Sequence, residues 1–175
     1  MRVLGLLALF LLTPALAEAK TISSPVQTMA TGDNVTVTEG SEGRVFAAGW
    51  RVNIGEGDYL KDILTVGANI TFNPTQTMAP VYAFGQTIHL GGTFNKTLAV
   101  AGQEIILQED AKALGGVWLS GNKVWLKGDM AADGKILSQR VIIAGRVTPQ
   151  QGKQLEIQTK ELEILEDAEI QGDIL

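Results

Sequence analysis

A short pattern that recurs about every eighteen residues limits the possible folds of this chain more than any other feature of its sequence. Each copy has a small residue, then an aliphatic residue three places later, then a second apolar residue two places further on, as in Gly32, Val35 and Val37. The small residue is Gly32, Gly49, Gly67, Gly85, Gly102, Gly121, Ser138 and Thr159 in turn. The steps between these positions are 17, 18, 18, 17, 19, 17 and 21 residues. A register that persists over eight units indicates a repeat architecture in which each unit is one coil of a stack.

Two short strands can be predicted in each coil, one on either side of the glycine. Apolar pieces precede the glycine at residues 45–48, 63–66, 81–84, 98–101 and 117–120. After it, residues alternate, so that Val52 and Ile54 point inward and Asn53 points outward. One coil cannot bury such residues alone, but coils stacked about 4.8 Å apart would join them into apolar columns. The sequence therefore predicts an all-β fold, a three-faced parallel β-helix (β-solenoid) of about eight coils.

The corner and the third side of the coil carry weaker signals. Glycine at the corner allows either a positive φ or a close approach of two backbones. On the third side we expect Phe94, Met130, Val147 and Ile170 to point inward. A left-handed hexapeptide helix also has about eighteen residues per coil, but it would show one aliphatic residue every six places. Apolar residues here come in alternating pairs, which favours the right-handed form.

The first residues have the pattern of a secretory signal. A positive start at Arg2 is followed by an apolar run over residues 3–12, which is too short for an ordinary membrane span. Ala15 and Ala17 then form a small-x-small cleavage site, and Ala19 offers an alternative one. A buried helix or an uncleaved anchor is the competing interpretation. The pattern predicts export to the periplasm, the cell envelope or the exterior.

The predicted organisation has three parts. Residues 1–19 are the signal peptide, residues 20–27 a short N-terminal segment, and residues 28–175 the β-helix domain. No later stretch is long and apolar enough to span a bilayer, so we expect no transmembrane segment in the mature chain. Cysteine is absent, which excludes disulfides and cysteine-based metal sites. The net charge of −5 gives no basic face for nucleic acid.

The glycine-led rungs and the ending Gly172-Asp173-Ile174-Leu175 resemble those of the bactofilins and related polymer-forming β-helix proteins of bacteria. The resemblance covers residues 28–175. It implies a right-handed, three-faced helix that polymerises end to end without nucleotide and has no catalytic residues. This chain departs from the family in its export signal and its minimal tails. Those departures argue against an intracellular cytoskeletal role and leave the tendency of the β-helix to stack.

No catalytic, cofactor-binding or metal-binding set is predicted. His89, the single histidine, should face outward and has no matching ligand or catalytic partner in the sequence. Carboxylates adjoin at Glu109 and Asp110 and again at Glu166 and Asp167. Some carbohydrate-cleaving β-helices use clustered carboxylates, but these pairs fall on turns, where a solvated edge is the simpler interpretation.

Outward apolar residues are the more informative candidates for an interface. One predicted column contains Phe46, Leu64, Tyr82 and Trp118, and a second contains Ile106, Trp125 and Ile142. Exposed patches of this kind mark interfaces, here with another part of the chain, with another protomer, or with a glycan that stacks on the aromatic rings. Ile174 and Leu175 begin a strand at the last edge, where a second chain could add.

These observations favour a non-enzymatic structural or scaffolding protein of the bacterial envelope that self-associates through the ends of its solenoid. The alternative is a secreted polysaccharide-binding module that uses the aromatic column. A polysaccharide-active enzyme is the third possibility, for which the sequence offers no constellation of residues.

Overall fold

The computed structural model describes residues 19–24, 26–149 and 154–172. Within these ranges the chain forms strands and turns and no helix. The strands are β1 (Lys20–Ser23), β2 (Gln27–Val37), β3 (Arg44–Ile54), β4 (Asp58–Tyr59), β5 (Ile63–Phe72), β6 (Gln76–Thr77), β7 (Val81–Leu90), β8 (Thr93–Phe94), β9 (Leu98–Leu107), β10 (Lys112–Ala113), β11 (Val117–Leu126), β12 (Asp129–Met130), β13 (Gly134–Ile143), β14 (Arg146–Val147), β15 (Leu155–Ile164) and β16 (Glu169–Ile170).

Two sheets of parallel strands run the length of the molecule. The larger has the order β1-β2-β3-β5-β7-β9-β11-β13-β15, and the smaller has the order β16-β14-β12-β10-β8-β6-β4. Every pairing in both sheets is parallel except that of β1 with β2. We call the eight long parallel strands rungs 1 to 8; in order, they are β2, β3, β5, β7, β9, β11, β13 and β15. The predicted β-solenoid is thus confirmed, with eight rungs and seven turns of about eighteen residues; its right-handed sense stays a prediction.

Each rung is one long strand that bends at the small residue, and its two halves supply two of the three sides. The predicted register is the observed one: Gly49 pairs with Gly67, Gly67 with Gly85, and Gly121 with Ser138. Alternate side chains therefore lie directly above one another. The columns they form are buried almost completely in rungs 2 to 7.

The third side closes the core with two-residue strands. Its inward column consists of Tyr59, Thr77, Phe94, Ala113, Met130, Val147 and Ile170. Phe94, Met130 and Val147 are fully buried and Ile170 is half-buried, as the sequence predicts. The ring of Phe94 meets that of Phe72 edge to face, with 6.3 Å between centroids. Packing across the solenoid, and not only along it, therefore stabilises the core.

Glycine is needed at the corner because the backbones of neighbouring rungs approach closely there. A Cβ on Gly67 would lie 2.6 Å from the carbonyl oxygen of Gly49, and one on Gly85 would lie 2.5 Å from that of Gly67. Within this column only Gly32 has a positive φ, of 151°. Of the two reasons that the sequence allows for a corner glycine, close approach is therefore the one that applies to the inner rungs.

The last two corners accept a hydroxyl side chain instead. Ser138 Oγ lies 3.1 Å from the carbonyl oxygen of Asn122 in the rung before and 2.8 Å from that of Arg140. Thr159 Oγ1 makes the same two contacts one turn later, with Gln139 at 3.1 Å and Glu161 at 2.9 Å. A hydroxyl that hydrogen-bonds to the backbone of the rung before thus takes the place of the glycine contact.

The first rung is partly covered by a strand of the predicted N-terminal segment. β1 runs antiparallel to β2 and pairs Lys20 with Thr31 and Ser23 with Thr28. In rung 1 the inward side chains of Ala30, Val35 and Val37 are buried, with Val35 1% exposed. All of the predicted signal peptide (residues 1–19) except Ala19 lies outside the described residues, as do the predicted end residues Ile174 and Leu175. In the described part, no helix is long and apolar enough to cross a membrane.

Candidate interaction surfaces

The first half of each rung presents an outward surface that we call the apolar face. It has two columns, because two side chains per half-rung point away from the core. From rung 1 to rung 7 the first column is Met29, Phe46, Leu64, Tyr82, Ala99, Trp118 and Lys135, and the second is Thr31, Ala48, Val66, Phe84, Ala101, Ser120 and Leu137. The predicted column of Phe46, Leu64, Tyr82 and Trp118 is therefore one half of a wider surface.

Large apolar side chains on this face are substantially exposed. Trp118 is 58% exposed, Phe84 46% and Tyr82 38%, whereas Phe46 and Leu64 are half-buried. Such exposure recurs in successive rungs, so it forms a contiguous patch and not the scattered single residues that are normal on a protein surface.

The apolar face is not flat, because rung 5 contributes two alanines to it where the adjacent rungs contribute larger side chains. Ala99 and Ala101 in rung 5 lie between the aromatic side chains of rung 4 and Trp118 of rung 6. They form the floor of a shallow, open depression that Phe84, Trp118 and Leu137 border. The face thus combines projecting rings with a recess, a shape that another apolar surface can fit.

Charge is absent from the two columns of the apolar face in rungs 1 to 6 and first appears at Lys135 in rung 7. Its Nζ lies 2.9 Å from a carboxylate oxygen of Glu156 in rung 8. This hydrogen bond, opposed in part by desolvation, lowers the pKa of Glu156 below its usual value. The ion pair marks the end of the apolar surface along the stack.

The second predicted column lies on the second half of the rungs and is largely covered by the chain itself. Ile106, Trp125 and Ile142 are indeed neighbours in successive rungs. Ile142, however, is only 3% exposed. The ring of Trp125 is covered by Lys123 Nζ, 4.5 Å from its centroid, and by Lys127 Nζ at 5.4 Å. These cation–π contacts leave little free apolar surface on this side.

The last rung exposes side chains whose counterparts are buried in the inner rungs. Leu162 and Ile164 pair with Val141 and Ile143 of rung 7, which are both 0% exposed. Leu162 is nevertheless 48% exposed and Ile164 53%. We call the surface formed by Leu162, Ile164 and neighbouring Leu165 the C-terminal end. At this surface, side chains in core positions face outward, because no further strand packs against them in the described part of the chain.

Ion pairs attach this last rung to the one before. Arg140 contacts Glu163 at 2.7 Å and Glu161 at 3.6 Å. Arg146 contacts Glu169 at 2.7 Å. The hydrogen bond to each closest carboxylate is the main reason that the pKa of both arginines is raised. These surface ion pairs thus contribute to holding the last coil, β15 and β16, against the coil before it, whereas each inner rung is packed on both sides.

The remaining candidates do not assemble into a chemical site in the described residues. His89 is half-buried in rung 4, between Thr71 and Ile106 of the adjacent rungs. Glu109 and Asp110 lie exposed on a turn, as predicted. Across the described part of the chain, no three or more His, Cys, Asp or Glu side chains are grouped so that they could hold a metal ion.

Sequence reasoning missed the second column of the apolar face, to which Val66, Phe84 and Leu137 belong. The signal was present, since each lies two places after a residue of the first column and the pleat returns to the same face after two residues.

The chain matches no protein-family model, and no curated protein or solved structure is significantly similar to it.

Proposed function

We propose that this chain is an exported, non-enzymatic scaffolding protein of the bacterial envelope that self-associates through the C-terminal end of its solenoid, like the bactofilin-like proteins that it resembles. One observation carries the proposal: Leu162 and Ile164 occupy core positions and yet are about half exposed. A second copy of the chain, whose rungs stack in the same way, is a suitable partner because strand addition would cover both side chains and continue the ladder.

The two ends of the solenoid differ in how much of their strand edge is free to pair with another chain. At the first rung, β1 already pairs with Thr28 to Thr31, and Val35 is buried. At the last rung, the outer edge of β15 has no strand against it among the described residues. The C-terminal end is therefore the favoured contact. Pairing of two C-terminal ends would stop at a dimer, whereas contact of a C-terminal end with a first rung would extend into filaments.

Sedimentation velocity and electron microscopy of the full chain test this proposal. We expect species larger than a monomer to accumulate with concentration. The double variant Leu162→Lys, Ile164→Lys should weaken that association at least tenfold, because two charged side chains would have to lose their hydration in the contact. A matched control, Gln86→Lys with Gln103→Lys, puts the same two charges on exposed corners of rungs 4 and 5 and should change nothing. A strictly monomeric wild-type chain at high concentration would sink the proposal.

Polysaccharide binding is the second candidate, favoured by the alignment of Phe46, Tyr82 and Trp118 in one column. Sugars stack on aromatic rings but also need hydrogen bonds to their hydroxyl groups. The two outward columns around these rings consist mainly of alanine and aliphatic side chains, so the requirement is poorly met. Retention on a glycan array that is lost on Trp118→Ala would favour this function.

A further inference from the structure

We propose that two copies of this chain also pack face to face through their apolar faces, about a two-fold axis that lies in the plane of the contact and runs along rung 4, past Tyr82 and Phe84. This contact is separate from the end-to-end association proposed above and uses none of the same residues. It would give the chain two independent surfaces for self-association.

The size of the apolar face supports a protein partner. Seven rungs at about 4.8 Å spacing make it about 29 Å long. The exposed fractions of its aromatic and aliphatic side chains correspond to an apolar area on the order of 600 Å². Monomeric proteins rarely leave a patch of this size uncovered. Two such faces would bury about 1,200 Å² together, which is at the lower limit for a specific protein–protein interface.

The order of large and small residues along the face makes it complementary to itself. A two-fold axis through rung 4 places rung 3 of one copy over rung 5 of the other, and rung 2 over rung 6. Because rotation about an axis along the strands keeps their direction, each column of one copy lies over the same column of the other. The facing pairs are then Leu64 with Ala99, Val66 with Ala101, Phe46 with Trp118, Ala48 with Ser120, Met29 with Lys135, and Thr31 with Leu137, while Tyr82 and Phe84 each face their own counterpart.

The two aliphatic side chains of rung 3 therefore meet the two small ones of rung 5. Leu64 and Val66 enter the recess formed by Ala99 and Ala101, Ala48 meets Ser120, and the ring of Phe46 pairs with that of Trp118. At the axis, Tyr82 and Phe84 of the two copies form aromatic pairs, for which offset or edge-to-face geometry is favourable. Interdigitation of this kind is how two sheets pack about 10 Å apart in a β-sandwich.

Charge is consistent with the same axis. In this arrangement Lys135 lies over Met29 of the second copy, and no like charges face each other. A second copy is favoured over a lipid surface because a flat bilayer would not fill the recess between Phe84 and Trp118. It is favoured over a glycan because the face offers few hydrogen-bonding groups.

A residue exchange tests the proposed axis. In the full chain, Ala99→Leu should overfill the recess and Leu64→Ala should leave a cavity, so each should weaken the face-to-face dimer about tenfold or more. The double variant Ala99→Leu, Leu64→Ala restores one large and one small residue at each of these facing pairs, and should recover most of the wild-type affinity. Sedimentation equilibrium measures the dimer, and circular dichroism confirms that each variant remains folded.

Controls separate this contact from the others. Asn53→Leu adds a leucine to the exposed outward surface of the second half of rung 2 and should leave dimerisation unchanged. The variant Leu162→Lys, Ile164→Lys should retain the face-to-face dimer while end-to-end association fails. The proposal is overturned if the double exchange associates no better than the single variants. It is equally overturned if the Leu162→Lys, Ile164→Lys variant is monomeric at high concentration; binding of that variant to phosphatidylcholine vesicles, or to a glycan array through Trp118, would then identify a different occupant of the face.

Discussion

Gly85 illustrates how a single missing side chain sets the distance between two rungs. Its Cα lies so close to rung 3 that an added Cβ would lie 2.5 Å from the Gly67 oxygen and 3.1 Å from Ile70 Cδ1. Neither neighbour can move freely, because one is backbone in a ladder and the other is a buried core residue. The requirement for glycine at this position is steric and comes from the stacking of coils.

We therefore expect Gly85→Ala to lower the free energy of unfolding by about 2–3 kcal/mol through overpacking. Gly116→Ala is the matched control, since its Cβ would have no heavy atom nearer than 3.9 Å. That variant should stay within about 0.5 kcal/mol of wild type. Urea denaturation followed by circular dichroism measures both; equal losses in the two variants would contradict the steric explanation.

Tyr59 gives the molecule a dependence on alkaline pH. Its ring is buried in the core, its hydroxyl donates a hydrogen bond to the Gly55 carbonyl oxygen at 3.1 Å, and burial raises its pKa to about 12. The folded state thus holds this proton more tightly than the unfolded chain, in which the pKa is about 10. The resulting stabilisation is complete below pH 10 and is lost as the pH rises from about 10 to 12.

Over that interval we expect wild-type protein to lose up to about 2 kcal/mol of stability through Tyr59, after allowance for partial solvation of the hydroxyl. Tyr59→Phe should lack this loss, while it is about 1 kcal/mol less stable at neutral pH because its hydrogen bond is gone. Thermal or urea unfolding at pH 8, 10 and 11.5 compares the two proteins. Parallel decline of both curves would show that another group is responsible.

At the scale of the element, the stability of a rung increases with the number of rungs that pack against it. An inner rung such as β11 packs against one rung on each side, and Leu126 is 0% exposed. β15 packs against β13 on one side, and its Leu162 is 48% exposed. Nearest-neighbour stability of this kind is the rule for solenoids, so the last rung should open before the middle of the stack does.

The same substitution should therefore have different costs at the two positions. Leu126→Ala should lower the free energy of unfolding by about 3 kcal/mol, since it leaves a cavity in a packed core. Leu162→Ala should cost about 1 kcal/mol or less, since little burial is lost. Denaturation of both variants below the concentration of self-association measures this, and an equal cost would mean that rung 8 is as well packed as rung 6.

At the scale of the whole molecule, charge is concentrated at one end of the stack. Between residues 154 and 172 there are six acidic residues and one lysine, and the ion pairs of four of these acids with Lys135, Arg140 and Arg146 still leave this end with a net negative charge. The first rung and its neighbouring turns also carry acids, at Asp33, Glu39 and Glu42. A C-terminal end that approaches either end of a second copy therefore meets like charge, whereas the apolar face is uncharged over six rungs.

Salt should consequently strengthen the two contacts unequally. Raising NaCl from 0.05 to 0.5 M shortens the Debye length to roughly 4–5 Å, so repulsion between ends is screened. We expect end-to-end association to tighten several-fold, and face-to-face association to change little. Sedimentation of the Ala99→Leu variant, which retains the end contact, and of the Leu162→Lys, Ile164→Lys variant, which retains the face contact, separates the two. Weaker end association at high salt would contradict this assignment of charge.

What the sequence alone determined is the solenoid: the rung register, the inward residues such as Val52 and Ile54, and the corner positions all follow from a local period of about eighteen residues. A stack repeats one local rule, so a pattern read along the chain predicts neighbours in space. Only the tertiary structure decided which outward residues remain free. Ile142 and Trp125 have the same pattern as Tyr82 and Trp118, but Ile142 is 3% exposed and two lysines of its own coil cover the ring of Trp125. Exposure depends on contacts between side chains and, as at Leu162, on whether a further rung of the described stack lies against the residue, and neither is encoded in the period.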